Sequence, residues 1–337
     1  MSQKIHNIFD SKLSYQSIYN AYIHTKRLKA YRKDVIKFEF KLEYNINRIY
    51  QKLKSESYEF GKYNEFYVYE PKKRRILSAS FEDRIVHTWY VKNFLEPYFV
   101  PTFIDTTYAC ILNKGMHKCA LDVQKTIYTC SYLDEYRYGY ILKMDVSKYF
   151  DNIDKNVLYS ILAKKIDDKK FLKLTKKLLD STSKYYTKEN IGIPIGNYTS
   201  QMFANIYLDK LDKYIKNQIK CKYVFRYMDD IACIFKNKSD AKNALSLIII
   251  FLKFKLGLSL NSKTQIFKIS QGINFCGYKI NKYGLKIRDK GKRRLNRKIR
   301  VLKKILDKGL ITTKIARQKL AGHIGYIKIS NKKGLIR

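Results

Sequence analysis

Asp229 and Asp230 stand side by side inside an otherwise apolar stretch running from Lys222 to Phe235 (KYVFRYMDDIACIF). The runs on either side are rich in β-branched and aromatic residues, the composition of strands. Two adjacent carboxylates repel each other and are poor strand formers. The stretch therefore reads as two strands broken at the aspartate pair, with the pair at a hairpin tip. Asp-Asp is also ordinary turn chemistry, so the pair alone does not separate a turn from a site. Upstream, Asp145 ends a second apolar strand within residues 136–146 (YRYGYILKMDV). Hard cations such as Mg²⁺ take oxygen ligands and bind through one or two carboxylates plus substrate phosphates. Three strand-end aspartates brought together would hold two such ions for in-line displacement at phosphorus.

Charge narrows the partners. Lys and Arg number 69 against 29 Asp and Glu, a net charge of +40. A compact chain with that imbalance repels itself, and a polyanion is the natural relief. The balance argues against a free-standing enzyme of small molecules and does not choose between nucleic acid and an anionic membrane. Hydrophobic residues make up 45% of the chain, enough for a sizeable core. The uncharged stretch Asn243 to Leu252, between Lys242 and Lys253, is too short to span a bilayer. The N-terminus (MSQKIHNIFD) lacks the apolar core of a signal peptide, so a cytoplasmic location without membrane contact is expected. Six scattered cysteines with no C-x-x-C pair imply reduced thiols, and the five histidines have no metal-ligand spacing.

Strands and helices alternate without the cadence of a doubly wound sheet, so the expected class is α+β. Residues 1–60 read as helical. Residues 64–80 read as two strands around the basic turn Pro71-Lys72-Lys73-Arg74-Arg75. A helix is expected near 81–96, capped by Ser80 and ended by Pro97. Another begins near Val157. Residues 198–218 carry an apolar stripe of Phe203, Ile206, Tyr207, Leu211, Tyr214 and Ile215. Ser239 is expected to cap the next helix. Strands return near 265–268 and 273–280. A basic helical tail follows, with Arg293, Arg297 and Arg300 on one side and Leu295, Val301 and Leu302 toward packing.

Three ordered blocks then carry a resemblance. Asp145-Val146-Ser147-Lys148-Tyr149-Phe150-Asp151-Asn152-Ile153, followed by Tyr227-Met228-Asp229-Asp230, resembles the palm of reverse transcriptases. Gly192-Ile193-Pro194-Ile195-Gly196-Asn197-Tyr198-Thr199-Ser200-Gln201 is similar to the segment typical of diversity-generating retroelement enzymes, where most reverse transcriptases carry Gln-Gly and Ser-Pro. Pro71 to Ser78, Asp105 to Cys110 and Phe275 to Tyr278 match further blocks in order, so that the resemblance covers roughly residues 60–330.

The resemblance implies a right-hand polymerase fold with fingers, a palm (an antiparallel sheet packed on helices) and a helical thumb. Residues 1–60 would be an N-terminal helical extension, 61–135 the fingers, 136–280 the palm with finger insertions and a primer grip at 273–280, and 281–337 the thumb. Asp145, Asp229 and Asp230 would be catalytic and hold two Mg²⁺ ions, or Mn²⁺ in their place, with the Val146 carbonyl completing one sphere. Lys73 and Arg75 would meet the incoming triphosphate as fixed cations. Phe150 would clash with a 2′-hydroxyl and so select deoxynucleotides. Lys263 would lie near the triphosphate as a general acid. Gly196, Asn197, Gln201, Tyr227, Met228, Phe275, Cys276, Gly277, Tyr278, Arg293 and Arg297 would touch template or primer. Ile195 replaces a glutamine that can donate and accept hydrogen bonds near the nascent pair, which isoleucine cannot. That fits the family trait of misincorporation opposite template adenines.

The implied activity is RNA-directed DNA synthesis, copying a template-repeat RNA into adenine-mutagenised cDNA. The implied partners are template RNA, the primer–template duplex, dNTPs and a small basic accessory oligomer. Retron-like, group II intron-like and phage-defence reverse transcriptases are the alternatives. The Val-Thr-Gly motif expected of a retron is missing after Tyr278, and no endonuclease domain is expected beyond the thumb. A palm-fold protein that only binds RNA is a further alternative, opposed by three carboxylates that a pure binder of polyanions does not need.

Overall fold

The computed structural model describes residues 4–69, 72–186 and 188–330. Pro71 of the basic turn, and residues 1–3 and 331–337 of the outer expected domains, lie outside the described residues. The strands in chain order are β1 (Ile5–His6), β2 (Asn64–Val68), β3 (Arg74–Ser78), β4 (Tyr140–Asp145), β5 (Ile166–Asp167), β6 (Tyr223–Tyr227), β7 (Asp230–Phe235), β8 (Gln265–Lys268), β9 (Ile273–Phe275), β10 (Tyr278–Asn281) and β11 (Gly284–Ile287). The helices are α1 (Phe9–Lys12), α2 (Tyr15–Lys26), α3 (Lys33–Glu39), α4 (Leu42–Lys54), α5 (Phe81–Tyr90), α6 (Glu96–Phe99), α7 (Met116–Cys130), α8 (Lys155–Lys165), α9 (Lys169–Asp180), α10 (Tyr198–Asn217), α11 (Lys238–Leu256), α12 (Asp289–Asp307) and α13 (Thr313–Ile329). The class is mixed α+β, as expected. Among the described residues no helix is long and apolar enough to cross a membrane.

The chain forms two compact units. The first comprises Met1–Ile104, Ser147–Leu211 and Ile250–Ser259. Its N-terminal helices pack on α5 around Trp89, which is fully buried against Phe9 and Phe94 at centroid distances of 5.5 and 5.2 Å. The Trp89 indole N–H donates to the Ser17 hydroxyl at 3.0 Å and to the Lys12 carbonyl at 3.3 Å, so the ring's polar edge is satisfied inside the core. Ser80 caps α5 as expected, accepting from the Asp83 N–H at 3.0 Å. Pro97 does not end the helical run: a π-helical turn at Val91–Leu95 is followed by α6, with Pro97 in its first turn. Glu96 N bonds back to the Val91 carbonyl in the wider π-type pattern, and this local change of hydrogen-bond register is where the run accommodates a residue that has no N–H. Helix α8 starts before Val157 because the Asp154 carboxylate accepts from Asn156 N at 2.8 Å and Val157 N at 3.1 Å. The apolar stripe expected near 198–218 lies in α10, and burial is nearly complete from Met202 to Asp209.

The second unit comprises Asp105–Val146, Asp212–Ile249 and Leu260–Arg337. Its centre is an antiparallel sheet in the order β6-β7-β4-β8. Helix α7 lays Val123 and Ile127 against Ile141, Phe225 and Ile234 of that sheet, and the same core takes in Phe275, Tyr278 and Ile280. Those last residues belong to a second antiparallel sheet, β11-β10-β9. Ser239 is not the cap of α11. The Asn237 carboxamide oxygen accepts from Asp240 N at 2.8 Å, one residue ahead of the helix start. In α12, Leu295 and Leu302 are buried as expected, but Val301 is 49% exposed.

Candidate active site

The aspartate pair sits at the tip of the β6–β7 hairpin, where Tyr227 pairs with Asp230 and Met228-Asp229 form the two-residue loop. Met228 has φ +58°. Two-residue hairpins need a positive φ in the loop to match strand twist, and glycine usually supplies it. A methionine there is strained and stays only where its surroundings fix it. Strand β4 then brings Asp145 directly opposite Asp230. Val146 N donates to the Asp229 carbonyl at 3.4 Å, and Asn261 N donates to the Asp145 carbonyl at 2.7 Å. Val146 is buried and bridges Leu260. The segment leading to Lys263 is thus bound to the end of β4, while Lys263 itself is exposed.

Asp230 is held by Lys143, whose Nζ lies 3.1 Å from Oδ1. Burial pushes the Asp230 carboxyl above its usual pKa; Lys143 pulls it down, the neighbouring Asp145 pushes it up, and Arg288 opposes that. Two half-buried carboxylates in cross-strand register, balanced by one lysine, suit a cation that would relieve their repulsion. Among the described residues, however, no three His, Cys, Asp or Glu side chains converge as a metal site. Asp145 and Asp230 are brought together, and Asp229 stands in the loop beside them. Lys143 was missed in the sequence, although it lies two residues before Asp145 and so shares its strand face.

A second missed group is buried beneath the tip. Arg226 and Asp212 are both fully buried and paired at 2.7 Å. The clue was a charged residue inside an apolar strand and another on the buried stripe of α10.

The first unit gathers its own set. Gly192 N donates to the Ile153 carbonyl at 2.8 Å, Ile193 N to that of Phe150 at 2.9 Å, and Leu77 N to that of Ile195 at 3.2 Å. The Asn197 carboxamide accepts from Ala79 N at 3.3 Å and donates to the Leu77 carbonyl at 3.2 Å. Ile195 and Asn197 are therefore tied to β3 and the residue after it, and Phe150 to the segment that carries them. Gly196 has φ +118°, and a Cβ there would lie 2.9 Å from Ile76, so both backbone and space require glycine. Gln201 is exposed on α10. Thr199 is buried, its hydroxyl 2.6 Å from His87 Nδ1, and burial holds that imidazole neutral down to about 3.

The two cations expected to meet the triphosphate differ. Lys73 is exposed, its ammonium over the Tyr67 and Tyr69 rings at 4.8 and 5.9 Å. Arg75 is engaged, with Nε and Nη2 each donating to the Glu65 carboxylate at 2.8 Å and Nη1 donating to the Tyr185 carbonyl at 2.5 Å. A phosphate would have to displace Glu65 to use it.

At the expected primer grip, Phe275 pairs with Tyr278 around a turn with positive φ at both Cys276 and Gly277. Phe275 and Tyr278 are wholly buried, and the Tyr278 hydroxyl lies 2.8 Å from His117 Nδ1. Their rings belong to the core, so only the backbone of the turn is left to meet a primer. On α12, Arg293, Arg297 and Arg300 are exposed at spacings of four and three residues, one face of the helix. On the thumb role that the resemblance implies, replacing all three with glutamine should weaken binding of a primer–template duplex regardless of sequence. The slope of log K against log salt should fall by about 2.7, at roughly 0.9 per phosphate contact. A filter-binding series in salt would read this, and an unchanged slope would remove α12 from the interface.

The sequence model of the family described as reverse transcriptase (RNA-dependent DNA polymerase) matches residues 62–280. The chain is similar to the putative COX1/OXI3 intron 2 protein of Saccharomyces cerevisiae, 30% identical over 42% of this chain and 24% of that protein. It is also similar to the group II intron-encoded protein LtrA of Lactococcus lactis subsp. cremoris, 28% identical over 54% of this chain and 30% of that protein. Among solved structures, apo telomerase from Candida tropicalis aligns with a TM-score of 0.49 at 16% identity, covering 68% of this chain and 55% of that one. The chain spans less than a third of the length of the curated relatives it matches first. With more than half its residues matched, and its paired aspartates in register at the end of one antiparallel sheet, the chain belongs to the reverse transcriptase family, the RNA-dependent DNA polymerases.

Proposed function

We propose that this chain synthesises DNA on an RNA template, with Asp145, Asp229 and Asp230 as its catalytic carboxylates. The observation that carries the proposal is the register of Asp145 opposite Asp230, with Asp229 next in the loop. Two Mg²⁺ ions held there would supply activation of the primer 3′-hydroxyl and neutralisation of the leaving pyrophosphate. The chain's own residues do the rest. Lys143 pairs with the Asp230 carboxylate, orients it and opposes the effect of burial on its charge. Lys73 and Arg75 take the triphosphate, Arg75 by exchanging Glu65 for phosphate oxygens. Phe150, tied through its carbonyl to Ile193, stands against the sugar and excludes a 2′-hydroxyl. The exposed arginines of α12 follow the duplex backbone without reading sequence. Template RNA, primer and dNTPs are the partners this activity requires.

Two finer readings differ in what they ask of the chain. Similarity to intron-encoded proteins favours a group II intron-like enzyme. Ile195 and Gln201 favour the diversity-generating one, which would add adenine-directed errors and a small basic accessory oligomer. Sequencing cDNA made by the purified protein on a defined RNA, with Asp229→Ala/Asp230→Ala as control, tests both levels. No product above the control would refute the polymerase; errors spread evenly over the bases would refute the diversity-generating reading. On that reading, Ile195→Gln restores a side chain that can hydrogen-bond at the nascent pair. Errors opposite adenine should fall about three- to ten-fold, since unpaired polar groups are what reject a wrong partner. An unaltered error spectrum would clear Ile195 of any part in fidelity.

A further inference from the structure

The strained tip of the β6–β7 hairpin needs a support, and the buried charges beneath it are placed to give one. Arg226 Nε donates to Asp212 Oδ2 at 2.7 Å, and Arg226 Nη1 donates to the Met228 carbonyl at 3.1 Å. The Thr107 hydroxyl donates to the same Asp212 oxygen at 3.2 Å. The Arg226 backbone is gripped as well: its N–H donates to the Thr106 carbonyl at 2.9 Å, and its carbonyl accepts from Tyr108 N at 3.0 Å. Thr107 therefore lies as a parallel neighbour along the outer edge of β6. The guanidinium reaches one residue short of Asp229.

Two charges taken fully out of water are costly, and apolar residues of equal volume would often hold the fold as well. What apolar residues could not do is bind the Met228 carbonyl. That peptide joins Met228, the residue at φ +58°, to Asp229, so its orientation sets where the Asp229 carboxylate starts. Nε and Nη1 are fixed in one plane, so Asp212 fixes the direction in which Nη1 points.

We infer that Arg226, oriented by Asp212 and Thr107, is a positioning residue that locks the Met228–Asp229 peptide and so sets the Asp229 carboxylate for catalysis. The inference rests on the polymerase reading for its effect on rate, but not for its effect on the turn. Removing such a support behind a ligand typically lowers activity ten- to a hundred-fold.

The test uses the full chain with ¹³C-methyl methionine. Five methionines keep the spectrum simple, and Met228→Leu assigns the signal of the turn. Arg226→Lys keeps the charge but cannot serve both acceptors in the same plane. Its kcat for single-nucleotide addition should fall roughly ten- to a hundred-fold. The KM for dNTP and the Kd for primer–template should stay within about two-fold, while the Met228 methyl signal broadens or splits. Wild-type kcat with a sharp, unshifted Met228 signal would overturn the inference. So would a fall in kcat with that signal unmoved, since the loss would not then pass through the turn. Loss of primer–template binding in step with kcat would mark a general structural role and overturn it too. If Arg226→Lys does not fold, Thr107→Val removes only one hydrogen bond to Asp212 and is read by the same criteria. A wild-type protein that makes no DNA would sink the polymerase proposal, while the Met228 signal would still decide whether the clamp exists.

Discussion

Asp230→Asn is expected to lower nucleotide addition by at least about a thousand-fold, roughly 4 kcal/mol of transition-state stabilisation at 1.36 kcal/mol per ten-fold. The change preserves shape and removes only charge. Asp230 is the carboxylate most fully defined by its surroundings: opposite Asp145 on β4, next to Tyr227 on β6, and 3.1 Å from Lys143. In the variant, Lys143 keeps a polar partner, and repulsion from Asp145 disappears. Folding stability should therefore change by less than about 1 kcal/mol, because relief of a like-charge contact offsets the weakened ion pair. The divergence is the informative part. Rapid-quench single-turnover rates and a urea melt on the same preparation would read the two quantities. Activity within about ten-fold of wild type would remove Asp230 from the catalytic set, and a large drop in stability would turn a catalytic claim into a structural one.

Trp89→Ala should cost about 3–5 kcal/mol of stability, the range for removing a large aromatic from a packed core. Trp89 is the chain's single tryptophan. It is fully buried between Phe9 and Phe94, with its N–H shared between Ser17 and Lys12. Alanine would leave a void on one side of both phenylalanines and strand two acceptors near α2. Because the substitution also removes the natural fluorophore, far-ultraviolet circular dichroism must follow the urea transition. Trp89→Phe, which keeps most of the volume and loses the N–H, should cost about 1–3 kcal/mol. Equal losses in the two variants would mean that the hydrogen bonds, not the ring, anchor this part of the core.

Much of the candidate site was legible because it is written in period two. The carboxylates at 229 and 230 broke an apolar run where strand geometry demands a turn, and Asp145 ended another such run. What the sequence hid depended on partners far along the chain. Lys143 shows its purpose only once β4 and β7 are in register, because its target is Asp230. Arg226 and Asp212 are both charged, and composition alone assigns charge to solvent in a chain at +40. Phe275 and Tyr278 carry a family block, yet burial makes them core, a distinction that side-chain type does not encode. Local capping chemistry misled at two places. Ser239 was a good cap, but Asn237 starts α11 earlier. Pro97 was a good terminator, but the π-helical turn before it let a new first turn begin there. Val301 sits beside Leu302 in sequence, but a helix turns neighbours onto different faces.

Gly277 carries a practical lesson for anyone trimming this protein. A Cβ at that glycine would lie 2.8 Å from the Tyr326 ring, whose hydroxyl also meets the Met116 sulfur at 2.9 Å. Helix α13 is therefore seated on this core through Tyr326, with Ile327 and Ile329 packed beside it, and the glycine leaves room for the ring. A shortened version cut ahead of position 326 would uncover an apolar seam spanning α7 and the β9–β10 turn. Such fragments should be sticky, and a useful boundary for expression lies past Tyr326 rather than at the end of the matched polymerase segment.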